Sequence, residues 1–551
     1  MEFQERIKEI ALDLTQIKSV VETSGEVAVA DRIVEILESF QYFKEHPQNL
    51  YKVPIKGDAL NRYAIIALLK GEATESKDTV VTLGHYDTVG TSDYGSLEEF
   101  ATQPLKLAEV LKSVSLPPEA RADLESGDYL FGRGLFDMKT GDAILIAIME
   151  HLSKAPKSFQ GNLIYVAVCD EEANSKGMLA AIPKLLEIRE EHQLNLLALL
   201  DTDYMTGEYP GDENKYVYIG TVGKIMPSFY IVGKETHVGE AFNGIDANQI
   251  AARLVDEVSL NPAYSDVVEG EAAMPPVTLK MRDLKTEYSV QTARTANVFF
   301  SYATHSSTPS EVLEKMKDAA NKAFRGVVDT LNSHYATFSN LSGRKAKPLP
   351  FKARVLSYQD LLQLVIEEHK AKGKDFQDQL SRLIQTVQDH PTLDDREKSL
   401  KIVEFVYNAW SDREPIIIIY LTPPYYPHIY VTDEDPKGKL LLDTVKEVVN
   451  TTQSDYSLVF KKFFPFISDL SYGSAPKDPA VIRDLKENMP GFGVTYDLPL
   501  EEMQQLDLPV LDIGPYGKDA HQFTERIQTD YSFEVAPRLV LSTIQGLLVK
   551  K

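Results

Sequence analysis

Cysteine is nearly absent: Cys169 is the only one in 551 residues. That excludes an intrachain disulfide and fits a reducing compartment such as the cytoplasm. Long apolar runs are lacking too. Nothing approaches the ~20 apolar residues of a membrane span, and the longest strongly apolar stretch, Ile416 to Leu421, suits a buried strand. The opening MEFQERIKEIALDLTQIKSV has no basic region leading into an apolar core and a small-residue cleavage site, so no signal peptide is expected. Basic residues are in the minority, 58 Lys plus Arg against 82 Asp plus Glu, for a net charge of −24. Such a balance disfavours nucleic acid or an anionic membrane as the main partner. No Gly-x-Ser-x-Gly motif is present, which sets a serine hydrolase aside.

What remains is an ordinary globular mixture, 43% hydrophobic and 25% charged. At roughly 100–200 residues per domain, two or three domains are expected. Helical spacing marks Ile7, Ile10, Ala11, Leu14 and Ile17, then Val29, Ile33, Ile36 and Leu37. Continuous apolar runs at 64–69, 79–83, 163–168 and 196–200 read as strands covered on both faces. Helical stretches lie between the last three, so the fold class is α/β with a mainly parallel sheet. After Gly223 the strands alternate more and two helices intervene, which suggests an inserted α+β domain. The expected division is residues 1–222 and 356–551 for the parallel-sheet domain and 224–355 for the insertion. Strand 416–421 and helix 437–450 are expected to resume the first domain. Helices within 357–415 form an extra segment that the sequence does not assign to either.

Several apolar runs end in His or carboxylate. Strand 79–83 leads into His85 and Asp87, which point the same way on extended chain. An Asp placed there can take the proton of the second ring nitrogen and fix the tautomer of a ligating His. Asp137 stands between glycine-rich turns before a helix; alone, it reads as a helix cap. Asp170, Glu171 and Glu172 follow a buried run, and three adjacent like charges need a cation or solvent. Of two adjacent glutamates, one can bind a metal and the other act on water as general base. Run 196–200 stops at Asp201 and Asp203, and a late glycine-rich loop carries His521. Ligand sites of open α/β sheets lie outside such strand ends.

These segments resemble the zinc-dependent M20-type metallopeptidases. The resemblance rests on Gly84-His85-Tyr-Asp87-Thr-Val, Gly132-Arg-Gly-Leu-Phe-Asp137-Met-Lys, Asp170-Glu171-Glu172, Gly233-Lys-Glu-Thr-His237-Val-Gly and Gly514-Pro-Tyr-Gly-Lys-Asp-Ala-His521, in family order along the whole chain. Leu200-Asp201-Thr-Asp203-Tyr and Ile467-Ser-Asp-Leu-Ser-Tyr472 are most similar to the arginine-utilisation RocB branch. Thr140 and Gly90 depart from the common pattern, where glycine and proline are usual.

The resemblance implies a catalytic domain with a lid, and two divalent metal ions, most readily Zn²⁺ with Co²⁺ or Mn²⁺ as substitutes. Metal ligands are expected at His85, Asp137, Glu172 and His521, with Asp137 bridging. The remaining carboxylate falls at Asp201 or Asp203, with Asp201 preferred as the first residue after the strand. Glu171 matches the general base, Asp87 the partner that orients His85, and His237 a lid histidine that stabilises the substrate oxyanion. Ser468, Asp469 and Tyr472 lie where a substrate-facing loop is expected. The implied reaction is hydrolysis of an amide or peptide bond in a small amino-acid derivative or dipeptide by a metal-activated water. A homodimer is compatible, and arginine catabolism is suggested by the branch. The competing expectation is an inactive metal- or amino-acid-binding protein with the same fold, against which the intact Glu171 argues.

Overall fold

The computed structural model describes residues 2–549. It divides into two compact units, and both are discontinuous in sequence. The first comprises residues 1–221, 429–475 and 499–551; the second comprises 222–428 and 476–498.

The first unit is built on a nine-stranded sheet. At its centre, strands Asn162–Val168, Asp78–His85, Asn195–Asp201 and Val510–Asp512 run parallel in that spatial order. Nearly every residue of these strands is buried, which is why they read as unbroken apolar runs. Helices cover them: Ile144, Ile148, Leu539 and Ile544 share one core with Leu163, Tyr165 and Val80. The outer strands are mostly antiparallel. Tyr63–Lys70 pairs antiparallel with Asn162–Val168 although it is as apolar as the central strands. Burial on both faces, not strand direction, sets the apolar pattern. Two short helices, Pro104–Leu111 and Pro118–Ser126, lie outside the main core and form a satellite cluster around Leu107, Leu111 and Phe131.

The second unit carries a six-stranded, largely antiparallel sheet, with Pro227–Val232 between Thr295–Thr304 and Ile416–Leu421. Here the boundary expected at residue 356 needs correction. Ile416–Leu421 pairs with Pro227–Val232, not with the parallel sheet. Helices Tyr358–Ala371, Phe376–Gln388 and Asp395–Ala409 pack on Ile416, Ile418 and Tyr420. The alternate residues Ile417 and Ile419 face the other way and are equally buried. The segment 357–415 therefore belongs to the second unit. The helix Pro309–Leu341 starts with Pro309 in its first turn and a reciprocal Thr308–Glu311 cap.

Candidate metal centre

All four central strands of the first unit end at the same edge of the sheet. His85 is the last residue of its strand and lies opposite Val168, while Leu83 and Asp512 both lie opposite Asp201. The chain bends into the Asp170–Glu172 turn after one strand and into Asp203 after another. The loop after Val510–Asp512 returns with His521. Gly514 makes that return possible: a Cβ there would lie 1.4 Å from the Asp203 carbonyl oxygen, so no other residue fits without moving the backbone.

Asp137 is the hub. Its Oδ1 lies 3.1 Å from His85 Nε2, and its Oδ2 lies 2.9 Å from His521 Nε2. His521 Nε2 also lies 3.2 Å from Glu172 Oε1. Two groups of ligand atoms result, His85–Asp137–Asp203 and Asp137–Glu172–His521, each with its atoms within 4.8 Å of one another. Bonds of about 2.0–2.2 Å put two ligand atoms of one ion within about 4.4 Å, so these groups need little adjustment. Asp137 is common to both.

Sequence and structure differ at the fifth ligand, the third carboxylate. Asp203, and not the preferred Asp201, joins His85 and Asp137. Asp201 ends its strand with Oδ1 accepting the Thr202 N–H at 2.8 Å and Oδ2 accepting the Ser468 hydroxyl at 3.2 Å. The orienting role of Asp87 also takes another form. The nearer acceptor for His85 Nδ1 is the Asp87 carbonyl oxygen at 3.2 Å; the carboxylate is 3.7 Å away. That carboxylate instead accepts the N–H groups of Glu171 and Glu172, at 3.2 and 3.1 Å. With Nδ1–H given to the carbonyl, the ring is held so that Nε2 faces Asp137.

Glu171 belongs to neither ligand group; its Oε2 lies 3.8 Å from His85 Nε2. Ser468, Asp469 and Tyr472 are 1%, 2% and 0% exposed, so their side chains pack inward. His237 sits in the second unit, exposed, its Nδ1 accepting the Gly239 N–H at 3.1 Å. Tyr204 closes the Leu200–Tyr204 segment at the end of the strand Asn195–Asp201. Its ring packs between Phe136 and Phe466, 4.7 and 4.9 Å away.

The electrostatics fit a cationic occupant. Burial pushes Glu171 and Asp203 well above the usual carboxylate range, and neighbouring carboxylates add to the shift. Burial also raises Asp201 and Asp469, each to about 7. Burial opposes charge on His521, yet hydrogen bonds to Asp137 and Glu172 raise it to about 10. Burial would raise Asp137 as well, but hydrogen bonds from His521 and His85 outweigh it and hold Asp137 below its ordinary value. Protons and imidazolium charge thus balance carboxylates that divalent cations would balance more fully. Imidazole and carboxylate together suit Zn²⁺, Co²⁺ or Mn²⁺.

A buried carboxylate shared by two His-carboxylate groups, at the carboxyl ends of parallel strands, is the donor arrangement of a metallohydrolase. The comparisons with known proteins agree. Peptidase family M20/M25/M40 matches residues 82–348. Protein RocB of Bacillus subtilis (strain 168) is 33% identical over 546 residues, covering 99% of this chain and 95% of its own. Protein YqjN of the same strain is 34% identical over 555 residues, covering 100% and 98%. The aminopeptidase PepT structure from Bacillus cereus superposes with a TM-score of 0.51 at 11% identity, covering 99% of this chain and 98% of its own, which shows the shared fold. The chain belongs to peptidase family M20/M25/M40, in the branch of protein RocB, and is a metallopeptidase or amidohydrolase.

Proposed function

We propose that the protein hydrolyses an amide or peptide bond in a small amino-acid derivative or dipeptide. The observation that carries this reading is Asp137, shared by two ligand groups, with Glu171 beside them and in neither. His85, Asp137 and Asp203 would hold one divalent ion, and Asp137, Glu172 and His521 a second, most readily Zn²⁺. Bound there, such ions supply Lewis acidity to a carbonyl oxygen and acidify water.

The chain's own residues do the rest. The Asp87 carbonyl fixes the His85 ring, and the Asp87 carboxylate fixes the backbone that presents Glu171 and Glu172. Glu171 takes a proton from water on a carboxylate oxygen and returns it to the leaving amine nitrogen. Apolar walls at Leu83, Met138 and Val168 keep the base out of bulk solvent. His237, in the second unit, donates a hydrogen bond to the oxyanion as that unit acts as a lid. The single thiol, Cys169, is buried and suits the cytoplasm. The branch makes arginine-containing dipeptides and N-acyl amino acids the first substrates to try.

A hydrolysis screen of dipeptides and N-acyl amino acids with Zn²⁺, Co²⁺ and Mn²⁺ tests the reading. Turnover of at least one class, abolished by chelation and restored by metal, is expected. Stoichiometric metal binding without turnover in the whole screen would overturn it.

A further inference from the structure

The turn that presents the two glutamates is gripped from behind by residues that touch neither ligand group. Arg62 immediately precedes the strand Tyr63–Lys70, and its side chain is 2% exposed. Its Nη1 donates to Asp170 Oδ1 at 2.6 Å and to Glu26 Oε2 at 3.0 Å. Its Nη2 donates to Asp58 Oδ1 at 2.7 Å. Glu26, from helix Gly25–Ser39 and wholly buried, accepts the Asp170 N–H on Oε1 at 2.9 Å. One ion pair therefore holds both the carboxylate and the backbone nitrogen of Asp170.

Asp170 is the residue on which the whole turn pivots. Its φ is +66°, a left-handed value that L side chains rarely adopt. Its carbonyl oxygen accepts the N–H groups of Ala173, Asn174 and Ser175. Its Oδ2 accepts the Lys176 N–H at 3.2 Å, where the helix Lys176–His192 begins. The next two N–H groups, those of Glu171 and Glu172, go to Asp87. A strained backbone persists only where its surroundings over-determine it. Here Asp87 holds the turn on the side of the site, and Arg62 with Glu26 holds it on the other.

Stability alone gives no reason for this network. A buried ion pair is often matched or bettered by apolar residues of the same volume. A fork of fixed geometry does confer placement, because guanidinium meets several carboxylates in set directions. Relaxation of φ at Asp170 would swing Glu171 and Glu172 together, and a misplacement of about 1 Å can cost ~10²-fold in rate. We infer that Arg62 and Glu26 are positioning residues, which act through Asp170 to aim Glu171 at the reacting water and Glu172 at the metal. This rests on the hydrolase reading above.

The test compares Arg62→Lys, which keeps the charge and loses the fork, with Glu26→Gln, which keeps an acceptor for the Asp170 N–H. Both are loaded with Co²⁺ and assayed on a substrate found by the screen. Arg62→Lys is expected to hold two ions per chain, keep KM within about 3-fold and lose kcat by ~10–100-fold. Its visible Co²⁺ absorption should shift, because the Glu172 ligand has moved. Glu26→Gln should lose less than about 10-fold and shift the spectrum less. A lowered melting temperature with wild-type kcat and an unshifted spectrum would make the network merely structural and overturn the inference. Should Arg62→Lys not fold, Glu26→Gln decides on the same two readouts. Should the unmodified protein hydrolyse nothing, the hydrolase reading fails, while the spectral shift still judges the positioning.

Discussion

Replacement of Glu171 by Gln separates proton transfer from the other tasks of its turn. The backbone of residue 171 is tied to Asp87 through its N–H, and an amide side chain leaves that bond intact. Glu171 lies in neither ligand group, so both groups keep every member. Gln has the length of Glu and one oxygen that still accepts a hydrogen bond, but it cannot take a proton near neutral pH. Only the base is removed. General-base catalysis contributes ~10²–10⁴-fold, which is about 2.7–5.4 kcal/mol at 1.36 kcal/mol per decade. The lower end is the expected minimum, because the 3.8 Å separation from His85 Nε2 leaves Glu171 free of a strong hydrogen bond to that ring and available to water. The assay is steady-state kinetics on a substrate from the screen, with metal content measured on the same sample. Two ions per chain, KM within about 3-fold and kcat down at least ~10²-fold are expected. Near-normal turnover would refute the assignment of the base. Loss of an ion would move Glu171 into the coordination sphere.

Asp203→Ala should release one ion per chain, whereas Asp201→Ala should keep both; metal analysis after dialysis distinguishes them, and the reverse result would restore Asp201 as the ligand. Chelation should lower the melting temperature, and Zn²⁺ at 100 times its dissociation constant should return about 2.7 kcal/mol of stability; an unchanged melting curve would mean the cluster takes no metal. His237→Ala should lower turnover by ~10²–10³-fold with metal content unchanged, and loss of metal instead would place His237 among the ligands. In the second unit, burial works against the Asp266 charge, but Ser307, Ser306 and Lys315 hold its carboxyl at about 2, below its ordinary 3.8. That stabilisation is complete above pH ~4 and is lost as pH falls through about 2. Asp266→Asn should therefore destabilise the protein at neutral pH by an amount that shrinks through this window, and a pH-independent difference in denaturant unfolding would contradict it.

Much of the site could be read before any coordinates, because its residues sit where apolar runs stop. His85 and the Asp170–Glu172 turn announce themselves as charge at the end of a buried strand, whereas Asp137 and His521, both in glycine-rich turns or loops, are singled out only by the family resemblance. Asp201 and Asp203 could not be told apart by that rule. Both follow the same strand, and a polar partner 267 residues away, Ser468, claims the first. The orienting bond from Asp87 was legible as a pairing with His85 but not as the carbonyl in place of the carboxylate. That choice depends on where Glu171 and Glu172 place their N–H groups. Strand Ile416–Leu421 was legible as a strand, yet six apolar residues say only that both faces are covered, not by which sheet. Its antiparallel register with Pro227–Val232 is a long-range fact. The passage of 476–498 into the second unit left no mark in the residue pattern for the same reason.

The order of strands across the first sheet sets a timetable for synthesis. Val510–Asp512 lies between Asn195–Asp201 and Lys215–Thr221, so an interior place in the sheet is filled by a strand made about 300 residues later. At about 5–20 residues per second, roughly 15–60 s separate the emergence of Asp201 from that of Val510. Throughout that interval the two neighbouring strands have an open flank, and one metal group lacks His521. Residues 195–221 thus emerge with unpaired strand edges and wait for a partner made about 300 residues later. Sheet closure waits for residues 510–512, and a chaperone that shields Asn195–Asp201 in the meantime would raise the yield of folded protein.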